Sequence, residues 1–208
     1  MKIVLIRHGK TKGNVERRYV GTTNEGVLRE ELDRLKEYKW EFKNNMMLTE
    51  VAVSPMARCV DTATAILGGL PQKVVDNFKE CNFGDYEYKN YEELKDYAEY
   101  QAYIDSNGEA PFPNGESKGE FEERCCKAFF SYIKDFVSRY GKEKDVAIVA
   151  HGGTIMAIMD RFSKPHKDYF EWQIENGKGI IANIDFVDDE FLRETVTFVK
   201  SEIEISFS

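Results

Sequence analysis

Two short apolar runs constrain this chain more than any other feature. Ile3-Val4-Leu5-Ile6 and Val146-Ala147-Ile148-Val149-Ala150 show no polar alternation, which suits strands covered on both faces. The first run leads through Arg7 into His8-Gly9 and the second directly into His151-Gly152. Strands buried on both faces need helices above and below them, and the sequence between the runs has mostly helical patterning.

Leu28, Leu32, Leu35 and Phe42 recur at near-helical spacing across 26–43. Glu50 to Ser54 reads as a short strand running into Pro55, Met56 to Leu67 as a helix closed by Gly68-Gly69, and Val74-Val75 as another short strand. Asn90-Tyr91-Glu92-Glu93 is a capping-box pattern opening a helix with the stripe Leu94, Ala98, Gln101 and Ile104, flanked by Tyr97 and Tyr100. Ser117-Lys118-Gly119-Glu120 is a second one. The long helix after it buries Phe121, Cys125, Ala128, Phe129, Tyr132 and Phe136 and stops at Gly141. Ala110 to Gly115 is a loop, Gly153 to Arg161 a helix, and 179–186 and 192–199 are strands joined by a turn around Asp188-Asp189. This order predicts an α/β fold: a three-layer α/β/α sandwich with a mostly parallel mixed sheet and a late β-hairpin. The reading is one domain over 1–208, with 81–118 forming much of a substrate-side cap.

The 208 residues suffice for one full core. A formal net charge of -8 argues against a nucleic-acid groove or an anionic-membrane patch, but it leaves room for a small basic pocket. No apolar stretch approaches membrane-spanning length, and the N-terminal run is too short and too quickly interrupted by charge for a signal peptide. The expectation is a cytoplasmic protein with free thiols at Cys59, Cys81, Cys125 and Cys126, which form no Cys-x-x-Cys pattern. No metal cluster and no cofactor are expected.

Ligands of such sheets collect beyond the carboxyl ends of the strands. The chain has three histidines, and two sit at that rim beside glycine. Taken singly, either could be a structural turn histidine; packing explains the pair poorly. Arg7 offers a rigid fork of donors suited to phosphate oxygens, Gly9 permits close backbone approach, and Thr11 and Asn14 add neutral donors. Arg58, in Ser54-Pro55-x-x-Arg58, would enter from the start of a helix, although alone it could be a solvated helix arginine. Such a rim could hold a phosphoryl group. The remaining histidine, His166, lies among Lys164, Lys167 and Asp168 and reads as exposed.

Leu5-Ile6-Arg7-His8-Gly9-Lys10-Thr11 with Asn14 strongly resembles the histidine phosphatase, or phosphoglycerate-mutase-like, family. The resemblance continues in order through Val53-Ser54-Pro55-Met56-Ala57-Arg58 with Thr62, Glu80 to Glu87, Pro113-Asn114-Gly115-Glu116-Ser117 and Ala150-His151-Gly152-Gly153. It implies that His8 is the nucleophile that becomes a phosphohistidine, that Arg7, Arg58 and His151 form the phosphate pocket with Asn14 and the Gly152 backbone, and that Glu80 is the proton donor. A protonated His151 would then help to neutralise charge on phosphorus. Glu87 is read as fixing the loop that presents Glu80, Ser117 as a helix cap, and Glu116 as orienting that loop or an arginine. Thr22, Phe83, Tyr86 and Tyr88 are the substrate-side candidates.

The compact cap and the Pro-Asn-Gly-Glu-Ser block resemble the small phosphatase branch that includes α-ribazole phosphatase. The resemblance implies phosphomonoester hydrolysis, with α-ribazole 5'-phosphate as one candidate substrate. Alternatives are a broad-specificity sugar or nucleotide phosphatase, less readily a phosphoglycerate mutase, and, in a different class, a non-catalytic phosphate-binding protein. Acidic residues around 81–118 argue against a second strongly anionic end on the substrate. The partner expected is a small-molecule phosphomonoester, with neither nucleic acid nor membrane, and the chain could be a monomer or a homodimer. Three positions depart from the family pattern: Thr22-Thr23-Asn24-Glu25-Gly26 replaces an Asp-x-Pro-Leu-Thr segment, Tyr86 a tryptophan and Tyr88 a glycine.

Overall fold

The computed structural model describes residues 1–37, 46–106, 108–186 and 196–204, with the backbone alone for 186 and 196–204. Phe42, the Asp188-Asp189 turn and residues 192–195 lie outside the described residues. The described strands are β1 (Lys2–Arg7), β2 (Leu48–Val53), β3 (Gln72–Val74), β4 (Asp145–Ala150), β5 (Ser163–Lys164), β6 (Gly179–Phe186) and β7 (Val196–Glu204), in one sheet of order β3-β2-β4-β1-β6-β7-β5. β3, β2, β4 and β1 run parallel, β6 is antiparallel to β1, and β6 with β7 forms the late hairpin.

Strand alternation divides the core into two layers. Ile3, Leu5, Ala52, Val146 and Ile148 pack beneath Phe129, Ile133 and Phe136 of α6 (Lys118–Tyr140) and Ile155 and Ile158 of α7 (Gly152–Phe162). Val4, Ile6, Val51, Val53, Ala147 and Val149 face Cys59, Ala63 and Ile66 of α3 (Ala57–Leu67) and Leu35 of α2 (Arg29–Glu37). Apolar surface at every position, odd and even, is therefore what makes the central strands continuous hydrophobic runs. The result is a three-layer α/β/α sandwich. Among the described residues no helix is long and apolar enough to cross a membrane.

Local chemistry sets the long helix. Ser117 Oγ accepts the Glu120 N–H while the Glu120 carboxylate accepts the Ser117 N–H, and Gly141, at φ +82°, ends it. The expected single helix after Asn90 is instead two, α4 (Tyr91–Leu94) and α5 (Ala98–Asp105), following α1 (Lys12–Val15), α2 and α3 in chain order. Tyr97 is extended between them, and burial selects Leu94 and Tyr100, leaving Ile104 45% exposed. The reason is an aromatic cluster: Tyr100 packs edge-on to Tyr86, and its hydroxyl bonds Tyr19 at 2.8 Å.

Register brings the strand ends together. Arg7 pairs with Ala150, so the His8 N–H reaches Ala150 O at 3.0 Å, and the Ser54 N–H reaches Val149 O at 3.1 Å. Ser54, His151 and His8 thus follow three adjacent parallel strands on one rim.

Candidate active site

The two histidine rings meet edge to face with centroids 5.2 Å apart. His8 Nδ1 lies 2.8 Å from Gly9 O, and a carbonyl only accepts, so Nδ1 carries the proton and Nε2 keeps its lone pair. Burial, then the Arg58 and Arg7 charges, hold His8 well below the usual histidine range, and the Gly9 hydrogen bond only partly opposes them. His151 has the opposite tautomer. Its Nδ1 accepts from Arg58 Nε at 3.2 Å, so Nε2–H donates to Ser54 Oγ at 2.8 Å. Burial first and Arg58 second keep it neutral, which corrects the expectation of a protonated His151.

Arg7 donates through Nη1 to Ile174 O at 2.7 Å, while its Nε is buried without a partner. That orphan donor faces Gly152, where an added Cβ would come within 3.3 Å of Nε. Asn14 Oδ1 accepts from the Thr11 N–H and from Asn176 Nδ2, and Asn176 Nδ2 also reaches His8 O at 3.1 Å. Asn176 escaped the sequence reading; the Asn176-Gly177 pair signals a turn but not what the turn holds.

Arg58 is fully buried. Besides Nε on His151, it donates to Thr23 O (2.7 Å), Val20 O (3.2 Å) and Gly21 O (2.9 Å), so it clamps the 20–23 loop against the histidine. Glu87 closes that loop from the other side, accepting the Gly21 and Thr23 N–H groups at 2.9 and 2.8 Å. Glu87 therefore holds this loop rather than the one presenting Glu80.

Glu80 is presented by a different staple. Glu116 accepts the Asn82 N–H and pairs with Arg124 at 2.7 Å, and Arg124 donates to Asn77 O, Lys79 O and Glu80 O. Arg124 carried no sequence signal beyond its charge. The Glu80 oxygens accept the Cys81 and Gly153 N–H groups at 3.0 and 3.1 Å. Burial pushes the Glu80 carboxyl up, against those bonds and the Arg58 and Arg7 charges. A Cβ at residue 153 would sit 2.3 Å from Glu80 Oε1, which explains the second glycine of His151-Gly152-Gly153.

A cavity of about 500 Å³ opens here, lined by Arg7, Asn14, Glu80, Gly152 and Phe83 among others, with His8, Arg58 and His151 buried outside its lining. Among the other substrate-side candidates, Thr22 is exposed and does not line it. Tyr86 is 4% exposed within the aromatic cluster. Tyr88 donates to Glu25 at 3.1 Å and lies under Arg18, and its φ of +61° shows why glycine suits that position. Glu80 is the one acid in a lining that includes Arg7, Arg17, Arg18 and Lys118, and from 81–118 Glu93 pairs with Arg18 and Glu109 with Lys118. Besides Arg7, Arg17, exposed at the mouth, is the lining cation for which no ion pair is found among the described residues. His166 is exposed and the four cysteines are free and buried. Among the described residues no group of three or more His, Cys, Asp or Glu could hold a metal ion.

The model of the histidine phosphatase superfamily (branch 1) matches residues 3–195. The chain is 26% identical over 198 residues to the uncharacterized phosphatase PhoE of Bacillus subtilis, covering 91% of this chain and 90% of that one. It is 25% identical over 185 residues to the adenosylcobalamin/alpha-ribazole phosphatase of Salmonella typhimurium, covering 85% and 87%. The solved structure of mycobacterial hydrolase 1 superposes with a TM-score of 0.80 at 19% identity over 100% and 99% of the two chains, a likeness of fold. With paired histidines on the rim of such a sheet and a family match over almost its whole length, the chain belongs to the histidine phosphatase superfamily, branch 1.

Proposed function

We propose that the chain hydrolyses small phosphomonoesters through a phosphohistidine at His8, with residues 81–118 as the cap of one domain. The observation that carries this reading is the His8 tautomer: with Nδ1–H on Gly9 O and the ring held neutral, Nε2 is the atom able to attack phosphorus. The P–O bond to the alcohol breaks as the Nε2–P bond forms, and Glu80, its carboxyl raised by burial, gives its proton to the departing alkoxide. Glu80 as carboxylate then takes a proton from the water that cleaves the N–P bond, returning His8 and releasing phosphate. Arg7, with its unpartnered Nε, and Asn14 line the same cavity and suit the phosphoryl oxygens.

Phe83, Phe112 and Phe121 give the cavity an aromatic wall that could hold the base of α-ribazole 5'-phosphate, the substrate suggested by one relative's name. The basic lining favours a second reading, an alcohol that is itself anionic. Phosphate release from α-ribazole 5'-phosphate, sugar phosphates, nucleoside monophosphates and 3-phosphoglycerate, with His8→Ala as control, tests both. Turnover that survives in His8→Ala contradicts the nucleophile assignment.

A further inference from the structure

Of the four cations lining the cavity, three are committed within the protein. Arg7 is bound to Ile174 O and is assigned to the phosphoryl group. Arg18 is pinned by Glu16 at 2.6 Å and Glu93 at 2.8 Å, and donates to Tyr88 O. Lys118 pairs with Glu109 at 2.6 Å. Arg17 is exposed at the rim, and no side chain or carbonyl among the described residues takes its guanidinium.

The backbone gives an independent reason to look at Arg17. The short helix α1 ends with the Arg18 N–H on Gly13 O (2.8 Å) and the Arg17 N–H on Asn14 O (3.2 Å), the paired bonds of a Schellman ending. Arg17 therefore occupies the left-handed position, at φ +54°, where glycine alone avoids a Cβ penalty. The turn itself would be served better by glycine, so arginine is explained by its side chain. That side chain is an unpaired fork at a cavity where Arg18 and Lys118 are already matched by acids, which leaves it open to an outside anion.

We propose that Arg17 is a subsite for a second anionic group on the alcohol half of the substrate, so that preferred phosphomonoesters carry a carboxylate or a second phosphate. The inference rests on the phosphatase reading for the place of the first phosphate. A guanidinium fork accommodates either group, and Phe83, Phe112 and Phe121 line the same cavity.

The test measures binding and turnover separately. Titration calorimetry on the His8→Ala protein compares 3-phosphoglycerate and glycerol 1,3-bisphosphate with glycerol 3-phosphate, which lacks the second charge, and repeats the series with Arg17→Gln added. We expect about tenfold tighter binding of at least one doubly charged ligand, shrinking with added salt, and a preference that collapses toward unity with Arg17→Gln. The tighter of the two ligands identifies the group. Equal binding of all three, or a preference that survives Arg17→Gln, overturns the subsite. Turnover of the same compounds by the unaltered protein judges the phosphatase reading by itself: hydrolysis with equal binding leaves that reading and removes the subsite, while preference without hydrolysis does the reverse.

Discussion

Arg58 Nε donates to His151 Nδ1 across 3.2 Å, and that bond fixes the charge of the second histidine. A nitrogen that accepts from a guanidinium cannot also carry a proton, so His151 is neutral and its Nε2–H is held by Ser54. The positive charge around the two histidines therefore comes from Arg7 and Arg58, while the histidines contribute geometry and a lone pair.

This charge state makes stability depend on pH. His8 and His151 are both held well below 6.5, chiefly by burial, so on acidification the unfolded chain binds protons that the folded chain refuses. Stability then falls as pH drops below 6.5, by about 1 kcal/mol per histidine between pH 6.5 and 5.5. Urea unfolding across that range should show the loss, and His151→Gln should remove about half of the slope. An unchanged slope in that variant would mean that His151 takes up protons equally in the folded and the unfolded chain.

Gly153 and Glu80 are coupled by contact. In Gly153→Ala the new methyl would meet Glu80 Oε1 at 2.3 Å, so the carboxyl must leave its place. We expect kcat/KM for an alkyl phosphate to fall by about a hundredfold and for an activated aryl phosphate, which needs no proton, by less than about tenfold. Equal losses on the two substrates would remove Glu80 from the role of general acid.

Phe83 and Tyr86 share one aromatic cluster and both contact Phe112, yet they differ in what else they face. Phe83 lines the cavity, whereas Tyr86 is buried among Tyr100 and Phe112. Tyr86→Ala should cost about 3–5 kcal/mol in denaturant unfolding. Phe83→Ala should chiefly raise KM. Exchange of these two outcomes would show that the tyrosine, not the phenylalanine, faces substrate.

The sandwich was readable because strands buried on both faces leave unbroken apolar runs, as 3–6 and 146–150 do. His8, His151, Arg7 and Glu80 were readable as a set for a related reason: the ends of parallel strands must share a rim, and the family pattern names the residues there. What lay beyond sequence depends on where side chains turn. Arg58 was legible as a cation of the rim, but not its bonds to the Val20, Gly21 and Thr23 carbonyls, which tie the 20–23 loop to His151. The stripe through Ile104 fits a helix wheel, but aromatic packing rotated the buried face to Tyr100. The acids of 81–118 outnumber the bases in sequence, but their charge is spent within the fold: Glu87 and Glu116 hold loops, and Glu93 and Glu109 pair with Arg18 and Lys118.

The proposed phosphohistidine forms at His8 Nε2, and it can be trapped. The most direct measurement is rapid quenching at alkaline pH during turnover of a hydrolysed phosphomonoester, followed by mass-spectrometric peptide mapping and assignment of the phosphohistidine isomer. The account predicts an acid-labile phosphoryl group on the His8 peptide, attached at Nε2 and absent from His8→Ala. A phosphoryl group on His151, or on Nδ1 of His8, would contradict it.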